Sequence, residues 1–384
     1  MTKRVFGNKP ILALAPMAGI TDSAFRQICR ELGADVVYSE MICVDALYYD
    51  SKKTMKMLAI SKKEHPVVVQ LFGKRPELFG KAAKIVEKAG ADGIDINFGC
   101  PAKKVVRHNG GVALMRDFKL SREIVQAVTD VVDIPVSVKI RAGIRGKERI
   151  PLTPLKKGGT KEINSAGAPL CACSPNWREG GQPASLKQQR GEGDSLGQIT
   201  AIDFVKNILD LPISAIMIHG RTYEQGFSGE PDYEMIKNVV ELVRGKIVVL
   251  ANGGIKSAED AKKMFDLTGA DGIGIAQGVL GKPWLFAEIE RIYTDKKRID
   301  TDSKDDIKKI ALRHAKFAYE MKGDHGIIEM RKHLLWYVKG WENAKELRAK
   351  LVKVQSVDDI EDVFKSCHPA LDAGSKFLDP ASLD

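Results

Sequence analysis

The sequence predicts an α/β protein, a (β/α)8 TIM barrel followed by a small C-terminal all-helical domain. Eight short apolar segments alternate with helical patterns, and they are apolar on both faces, as expected for parallel strands covered on both sides. The tripeptide Gly-Ala-Asp precedes three of these segments, at Gly33, Gly90 and Gly269, where glycine suits the end of a helix. Eight such units favour a closed barrel, and a doubly wound sheet is the alternative.

The eight segments share one feature, because each carries polar residues or glycines near its C-terminal end. In chain order they are ILALA (11–15), DVVYSEM (35–41), PVVVQLF (66–72), GIDINF (93–98), PVSVKI (135–140), AIMIHG (215–220), IVVLANG (247–253) and GIGIA (272–276). The active site of a barrel lies at the C-terminal ends of its strands. The sequence therefore predicts a functional site at this end, the barrel mouth.

The 384 residues of the chain suit one large α/β domain and an appendage. We expect the barrel to occupy 1–147 and 199–300, the helical domain 304–365, and a loose tail 366–384. The stretch 148–198 interrupts the pattern, because 13 of its 51 residues are Gly or Pro and no helix or strand period survives. Such a stretch cannot bury enough apolar surface to offset its ordering entropy, so we expect a disordered insertion, with a substrate lid as the alternative.

Neither a membrane nor a metal partner is expected. No apolar run reaches the roughly 18 residues that a membrane span needs. The N-terminus is similar to a secretory signal, but Pro16 and the strand-like pattern favour a first barrel strand. The six cysteines show neither paired spacing nor the spacing of zinc ligands. We therefore expect reduced thiols and a cytoplasmic protein.

The net charge is +10, and over half of the excess lies in residues 304–353, which hold 13 Lys or Arg and 7 Asp or Glu. A helix at the start of this stretch would have an apolar face formed by Ile307, Ile310, Ala311, Phe317 and Met321. A basic helical domain suggests a polyanionic partner. For any single lysine, a solvated surface is the alternative.

The last two strands predict a phosphate site, which barrels of this kind often place there. Asn252, Gly253 and Gly254 end the seventh strand, and glycine lets backbone N–H groups approach an anion. Ala276 and Gln277 end the eighth strand. The alternative for the glycines is a structural turn.

His219, at the end of the sixth strand, is followed closely by Arg221. The two side chains could clamp a phosphate at the same place. For the histidine alone, a hydrogen-bonded core position is the alternative.

Three polar side chains lie within otherwise apolar strands. Lys139 needs a polar or anionic partner if it is buried, which a bound electron-rich ring or an ion pair with Asp95 would supply. Gln70 and Asn97 could read the donors and acceptors of a heterocycle, or they could make ordinary core hydrogen bonds.

Cys100 lies just past the fourth strand, between Gly99 and Pro101. A free cysteine is most often an inert, buried thiol. This one is expected at the barrel mouth, with Lys139 on the neighbouring strand, where it can serve as a nucleophile or as an acid. We favour a catalytic role.

Seven motifs together resemble those of the tRNA-dihydrouridine synthase family. They are APMAGITDSAFR, VQLFG, DINFGCPAKKVVRHNGG, VSVKIRAG, IHGRTYEQGFSG, ANGGI and GKPWLF. The resemblance covers about 1–147 and 199–365. It implies a barrel with FMN at its mouth, a helical tRNA-binding domain, and NADPH or NADH as the reductant.

The resemblance also implies roles for the matched residues. The residues expected to bind FMN are Pro16, Met17, Ala18, Gln70, Asn97, Lys139, His219, Asn252, Gly253, Gly254, Ala276 and Gln277. Within this set Lys139 would stabilise the reduced, anionic ring, and Cys100 outside it would be the general acid. The residues expected to bind tRNA are Lys103, Lys104, Arg107, Arg141, Arg331 and Lys332.

The implied activity is FMN-dependent, NAD(P)H-driven reduction of the C5–C6 double bond of uridines in tRNA, with Cys100 as proton donor. Two features depart from the family pattern, which usually has Gly-Arg at Ala276-Gln277 and lacks the insertion 148–198. The first departure removes a phosphate contact. The alternatives are another FMN barrel oxidoreductase acting on a free pyrimidine, similar to dihydroorotate dehydrogenase, and a catalytically impaired tRNA-binding protein.

Overall fold

The computed structural model of the chain describes residues 10–145, 197–294 and 303–366. They form two compact units. One unit takes the chain up to Val279 together with the helix that follows Trp284, and the other takes Leu280–Pro283 and the C-terminal helices. Most of the predicted insertion, the first residues of the chain and nearly all of the predicted tail lie outside the described residues.

The first unit confirms the predicted barrel. Its eight parallel strands are β1 (Ile11–Leu14), β2 (Val36–Tyr38), β3 (Val67–Phe72), β4 (Gly93–Asn97), β5 (Val136–Arg141), β6 (Ala215–His219), β7 (Val248–Asn252) and β8 (Gly272–Ile275). Each strand pairs with the next, and β8 pairs with β1, so the sheet is closed. A doubly wound sheet would be open, and it is thereby excluded.

Helices follow the strands around the barrel. In chain order they are α1 (Ser23–Glu31), α2 (Val44–Tyr48), α3 (Lys52–Met57), α4 (Pro76–Lys88), α5 (Lys103–Arg107), α6 (Phe118–Thr129), α7 (Ala201–Ile208), α8 (Tyr233–Val243), α9 (Ala258–Thr268) and α10 (Leu285–Tyr293). Local sequence explains their ends. Ser257 and Asp260 form a capping box at the start of α9, and Gly269, at φ +63°, caps its end.

Successive side chains along each barrel strand point alternately into the barrel interior and outwards to the layer of helices. One buried cluster joins Ala13 and Tyr38 to Met217 and Leu250, from strands on opposite sides of the barrel. Polar side chains at the C-terminal ends of the strands continue these alternating positions towards the mouth. There the strand register places Asn97 beside Lys139 and Asn252 beside His219. Strand pairing therefore brings together residues that are far apart in the sequence.

Two further pairings lie outside the barrel. Ile42–Cys43 extends the sheet beside the end of β3. Gly143–Arg145 pairs antiparallel with Gln198–Thr200, in a ribbon from which residues 146–196 depart. The predicted insertion ends at 198, but the structure places that residue in a strand, so the strand begins inside the predicted range.

The second unit contains four helices in the described part of the chain. They are α11 (Lys304–Lys322), α12 (Asp324–Tyr337), α13 (Ala344–Leu351) and α14 (Val357–Lys365). The buried face of α11 is formed by Ala311, His314, Ala315, Phe317 and Ala318. Of the residues expected on its apolar face, Ala311 and Phe317 are buried, and Ile307, Ile310 and Met321 are half-buried. Within the described ranges, no helix is both long and apolar enough to cross a membrane.

Candidate active site

The loop after β4 carries Cys100, which is half-buried at the barrel mouth. The Asn97 side-chain oxygen accepts hydrogen bonds from the backbone N–H groups of Gly99 (3.1 Å) and Cys100 (2.8 Å). The carbonyl of Gly99 accepts from the Arg141 Nε at 2.9 Å. Burial raises the pKa of the Cys100 thiol, while the N–H of Ala102 and the nearby Arg141 act in the opposite direction. The thiol is therefore held in place and protonated at neutral pH.

Lys139 lies on β5, next to this loop. Its ammonium donates to the Asn252 Oδ1 at 3.3 Å, and Asn252 in turn donates to the carbonyl of Gly274 at 2.6 Å. Burial, followed by repulsion from Arg141, lowers the pKa of Lys139 to about 8. The direct ion pair with Asp95 is absent among the described residues. An anionic or electron-rich ligand at the mouth would therefore complement this ammonium.

A buried polar network lies below the Cys100 loop. Gln70 donates to one carboxylate oxygen of Asp95 at 2.6 Å and accepts from the Asn97 amide at 2.9 Å. Ser137 donates to the other carboxylate oxygen at 2.7 Å. Burial raises the pKa of Asp95 to about 6, against the opposing effects of Gln70, Ser137 and Lys139. Gln70 and Asn97 therefore make core hydrogen bonds in the structure, which was the alternative to contacts with a heterocycle.

The glycine pair after β7 forms a cradle. Gly253 and Gly254 have φ of +111° and +78°. A Cβ on Gly253 would lie 2.6 Å from the His219 ring and 3.5 Å from the Arg221 Nη1, and one on Gly254 would lie 2.9 Å from Pro231. Side chains at these positions would collide with the His219 ring and with Pro231, so both positions require glycine. The backbone N–H groups of such a turn, with the Arg221 cation beside it, would suit a phosphate.

The histidine and arginine after β6 are both held by their surroundings. The Arg221 Nε and Nη2 donate to the carbonyl of Gly229 at 2.9 and 2.7 Å, which leaves Nη1 beside the His219 Nε2 at 3.4 Å. Burial and the surrounding cations lower the pKa of His219 to about 2. The imidazole is therefore neutral, and Arg221 supplies the positive charge here. The sequence predicted the two side chains as a phosphate clamp, without assigning the charge to Arg221 alone.

The loop after β1 and the end of β8 complete the mouth. The Met17 N–H donates to the Thr21 hydroxyl at 3.1 Å, which in turn donates to the Met17 carbonyl at 3.2 Å, so the Pro16–Ala18 segment has a defined shape. Ala276 packs against the barrel's interior cluster. Gln277 is exposed.

The residues expected to bind tRNA occupy several environments. Lys103, Lys104 and Arg107 are exposed on α5, which directly follows the Cys100 loop. Lys332 is half-buried in α12 of the second unit, beside Arg331 in the same helix. The Arg331 Nε donates to the carbonyl of Val354 at 2.9 Å, so part of its guanidinium braces the helical unit.

Arg141, which is also expected to bind tRNA, has a side chain that is only 2% exposed. Besides Gly99, it donates to the carbonyls of Thr222 and Gly226, each at 2.9 Å. It thus ties the Cys100 loop to the loop after β6. Phe227, which was not among the predicted site residues, has an exposed ring that lies 5.6 Å from the Arg141 guanidinium. Its place in the GFSG segment was the available signal.

A closed parallel barrel with a protonated thiol, a half-buried ammonium and a glycine turn at its mouth defines the class of barrel enzymes. Among the described residues, no group of three or more His, Cys, Asp or Glu could hold a metal ion. Histamine dehydrogenase from Rhizobium sp. 4-9 has a similar fold, with a TM-score of 0.50 at 12% identity over 80% of this chain and 49% of that one.

The sequence comparisons show the family. The profile of the family described as Dihydrouridine synthase (Dus) matches residues 13–155 and 181–372. The tRNA-dihydrouridine synthase B of Pseudomonas aeruginosa is 34% identical over 348 residues, which cover 90% of this chain and 89% of that protein. A probable tRNA-dihydrouridine synthase of Rickettsia bellii is 33% identical over 339 residues, or 88% of each chain. The chain therefore belongs to the dihydrouridine synthase family, and it is an oxidoreductase.

Proposed function

We propose that the protein is a tRNA-dihydrouridine synthase, which reduces the C5–C6 double bond of uridines in tRNA with FMN bound at the barrel mouth and NADPH or NADH as reductant. The observation that carries this proposal is Cys100, a protonated thiol on a braced loop beside Lys139. The names of the relatives supply the substrate. The expected cytoplasmic location accompanies this proposal.

FMN fits the residues present. Gly253, Gly254 and Arg221 would hold its phosphate, because the cradle offers backbone N–H groups and a cation. Lys139 would meet its ring, and the Pro16–Ala18 segment would line the site. Gln277 is exposed and carries no charge, so Arg221 is the cation of this cradle. When bound, FMN supplies the hydride for uracil C6.

Cys100 would donate the proton to uracil C5. Burial keeps the thiol protonated until it is needed, and this is the state that a general acid requires. Arg141 and Lys139 favour the thiolate that remains after proton transfer. Asn97 and Arg141 hold the loop, which limits the positions that the sulfur can take.

A uridine within tRNA is unreachable while it is stacked, so it must leave the stack to enter the barrel mouth. Lys103, Lys104 and Arg107 are exposed beside the Cys100 loop and suit the phosphates that flank an extruded base. The exposed ring of Phe227 beside Arg141 offers an aromatic face at the same mouth. The basic helical unit would bind further phosphates.

The test is the reduction of an unmodified tRNA transcript by the purified full-length protein with NADPH, followed by mass spectrometry of the nucleosides. We expect dihydrouridine in the tRNA, and a yellow protein whose absorbance band is bleached by NADPH. Turnover of free uracil or orotate without turnover of tRNA would instead identify a free-pyrimidine oxidoreductase. A colourless protein that binds tRNA without changing it would identify an impaired binding protein.

A further inference from the structure

Asp95 is a buried acid that takes no direct part in the proposed reaction. We propose that Asp95 is a positioning residue, which holds the Cys100 loop through the side-chain amides of Gln70 and Asn97. The proposal rests on the function proposed above, because the position of the Cys100 thiol matters only if that thiol delivers a proton.

The relay is continuous and buried. Asp95 is 0% exposed, Gln70 2% and Asn97 5%. Asp95 Oδ2 accepts from Gln70 Nε2 at 2.6 Å, Gln70 Oε1 accepts from Asn97 Nδ2 at 2.9 Å, and Asn97 Oδ1 accepts from the N–H groups of Gly99 and Cys100. Two side-chain amides, Gln70 and Asn97, thus connect the carboxylate to the backbone of the catalytic loop through three consecutive hydrogen-bonding steps.

The order of donors and acceptors assigns Asp95 its role. An ionised carboxylate can only accept, so Gln70 must turn its NH2 group towards it. The Gln70 oxygen then faces Asn97, and Asn97 must present its own NH2 group to that oxygen. The Asn97 oxygen is left for the two loop N–H groups. A carboxylate at the base therefore selects one of two orientations for each amide.

Asp95 makes no ion pair that would give it a different structural role. Its second oxygen accepts from Ser137, and its nearest candidate counter-ion, Lys139, donates to Asn252 instead. A buried carboxylate that is not in an ion pair costs folding free energy, and an apolar residue would pack in its place without that cost. The orientation that Asp95 imposes on the Gln70 amide explains why an acid occupies this buried position.

Hydrogen exchange at single-residue resolution on the flavin-loaded protein tests the relay directly. In Asp95→Leu, which removes the acceptor, we expect the amides of Gly99 and Cys100 to exchange about tenfold faster. The Phe98 amide donates to the Lys139 carbonyl in the barrel ladder, so its rate should not change. If Asp95→Leu does not fold, Asp95→Asn decides, with an expected rise of about threefold because its amide can adopt either orientation.

Ser137→Ala is the matched control. It removes a buried hydrogen bond from the other carboxylate oxygen and leaves the link to Gln70 intact. We expect it to leave the Gly99 and Cys100 amides at their wild-type rates. Equal acceleration in the Asp95 and Ser137 variants, or acceleration that includes Phe98, would show general loosening and would overturn the relay. Unchanged rates in the Asp95 variant would overturn it as well.

The kinetic readout separates this proposal from the proposed function. The Asp95 variant should reduce its flavin with NADPH at the wild-type rate but reduce uridine in tRNA about tenfold more slowly, with a larger solvent isotope effect because proton delivery limits the rate. A wild-type protein that forms no dihydrouridine refutes the proposed function, whereas the exchange rates still test the relay.

Discussion

At the scale of single residues, Cys100 shows how position and protonation combine. Its thiol is a weak nucleophile while protonated, and burial keeps it in that form. Replacing Cys100 with Ala removes the proton donor without touching the anion cradle or Lys139. We therefore expect the variant to keep its flavin and its NADPH-driven flavin reduction, and to lose roughly 10²–10⁴-fold in uridine reduction, measured by single-turnover kinetics. Full activity on tRNA would remove Cys100 from the proton-donor role.

Asp95 leads to a prediction about stability and pH. Its folded-state pKa of about 6 lies above its ordinary value of 3.8, so its favourable contribution is complete below that value and is lost as the pH rises through 6. Asp95→Asn lacks this titration. From pH 5 to pH 7.5 the free energy of unfolding of the wild type should fall relative to the variant by on the order of 1 kcal/mol, as measured by urea denaturation.

Hydrogen bonds that differ between the wild type and Asp95→Asn shift the whole comparison by a constant and leave its slope with pH unchanged. Parallel stability profiles across this range would mean that Asp95 is not titrating in the folded barrel.

At the scale of elements, the turn after β7 is built for close approach. In Gly253→Ala the new Cβ meets the His219 ring at 2.6 Å, and a φ of +111° is unfavourable for alanine. The N–H groups of the cradle must move, so we expect FMN affinity to fall by about tenfold or more in a fluorescence titration. Gly269→Ala is the matched control, because φ is +63° there and nothing lies within 4 Å of the added atom. Equal flavin loss in both variants would contradict the cradle.

The antiparallel ribbon of Gly143–Arg145 and Gln198–Thr200 flanks the predicted insertion. Arg145 pairs with Gln198, so the chain leaves and returns at neighbouring positions. A short turn can join them, and closing a loop of a few residues costs little. Replacing 147–196 with Asn-Gly should therefore leave folding and flavin content unchanged, as measured by thermal unfolding and absorbance. A colourless or insoluble product would show that the segment is required.

The matched control for this excision extends it through Thr200. Thr200 and Asp203 form a capping box at the start of α7, and the longer excision removes that cap along with the strand. We expect the longer excision to destabilise the barrel, by about 1 kcal/mol from the lost cap alone. The excision should therefore stop before the strand Gln198–Thr200, a limit that the composition of the segment does not reveal.

At the scale of the whole molecule, the proposed function assigns the cofactor to the barrel unit and tRNA phosphates to the basic helical unit. Arg331 is occupied within the helical unit, whereas Lys316 and Lys339 are exposed in the same unit. Replacing both lysines with Gln should weaken tRNA binding and flatten the slope of log affinity against log salt by about one to two units. Flavin content should stay constant, because the cofactor site lies in the barrel.

The control for this charge change is Lys237→Gln with Lys262→Gln, two exposed lysines on the outer barrel helices α8 and α9. It removes the same charge from surfaces that carry no predicted tRNA contact. If both pairs change the salt slope equally, the effect comes from net charge, and the helical unit is not a specific tRNA surface.

The sequence by itself determined the eight strands, the glycines at the ends of three helices and the position of Cys100 at the barrel mouth. These features are local. A strand buried on both faces shows a run of apolar residues, and a helix shows its caps, whatever the chain does elsewhere. The family motifs added the expected cofactor and substrate. The glycine pair 253–254 is also local, because a positive φ selects glycine wherever the turn occurs.

Only the tertiary structure decided which partner each polar side chain has. Arg141, which is expected to bind tRNA, donates to three loop carbonyls, while Asp95 bonds Gln70 and Ser137 and makes no ion pair with Lys139. The apolar face of α11 likewise includes His314, which the helical period of apolar residues could not predict. In each case the partner comes from a distant part of the chain. The register of neighbouring strands and helices sets such pairings, and residue types alone do not specify that register.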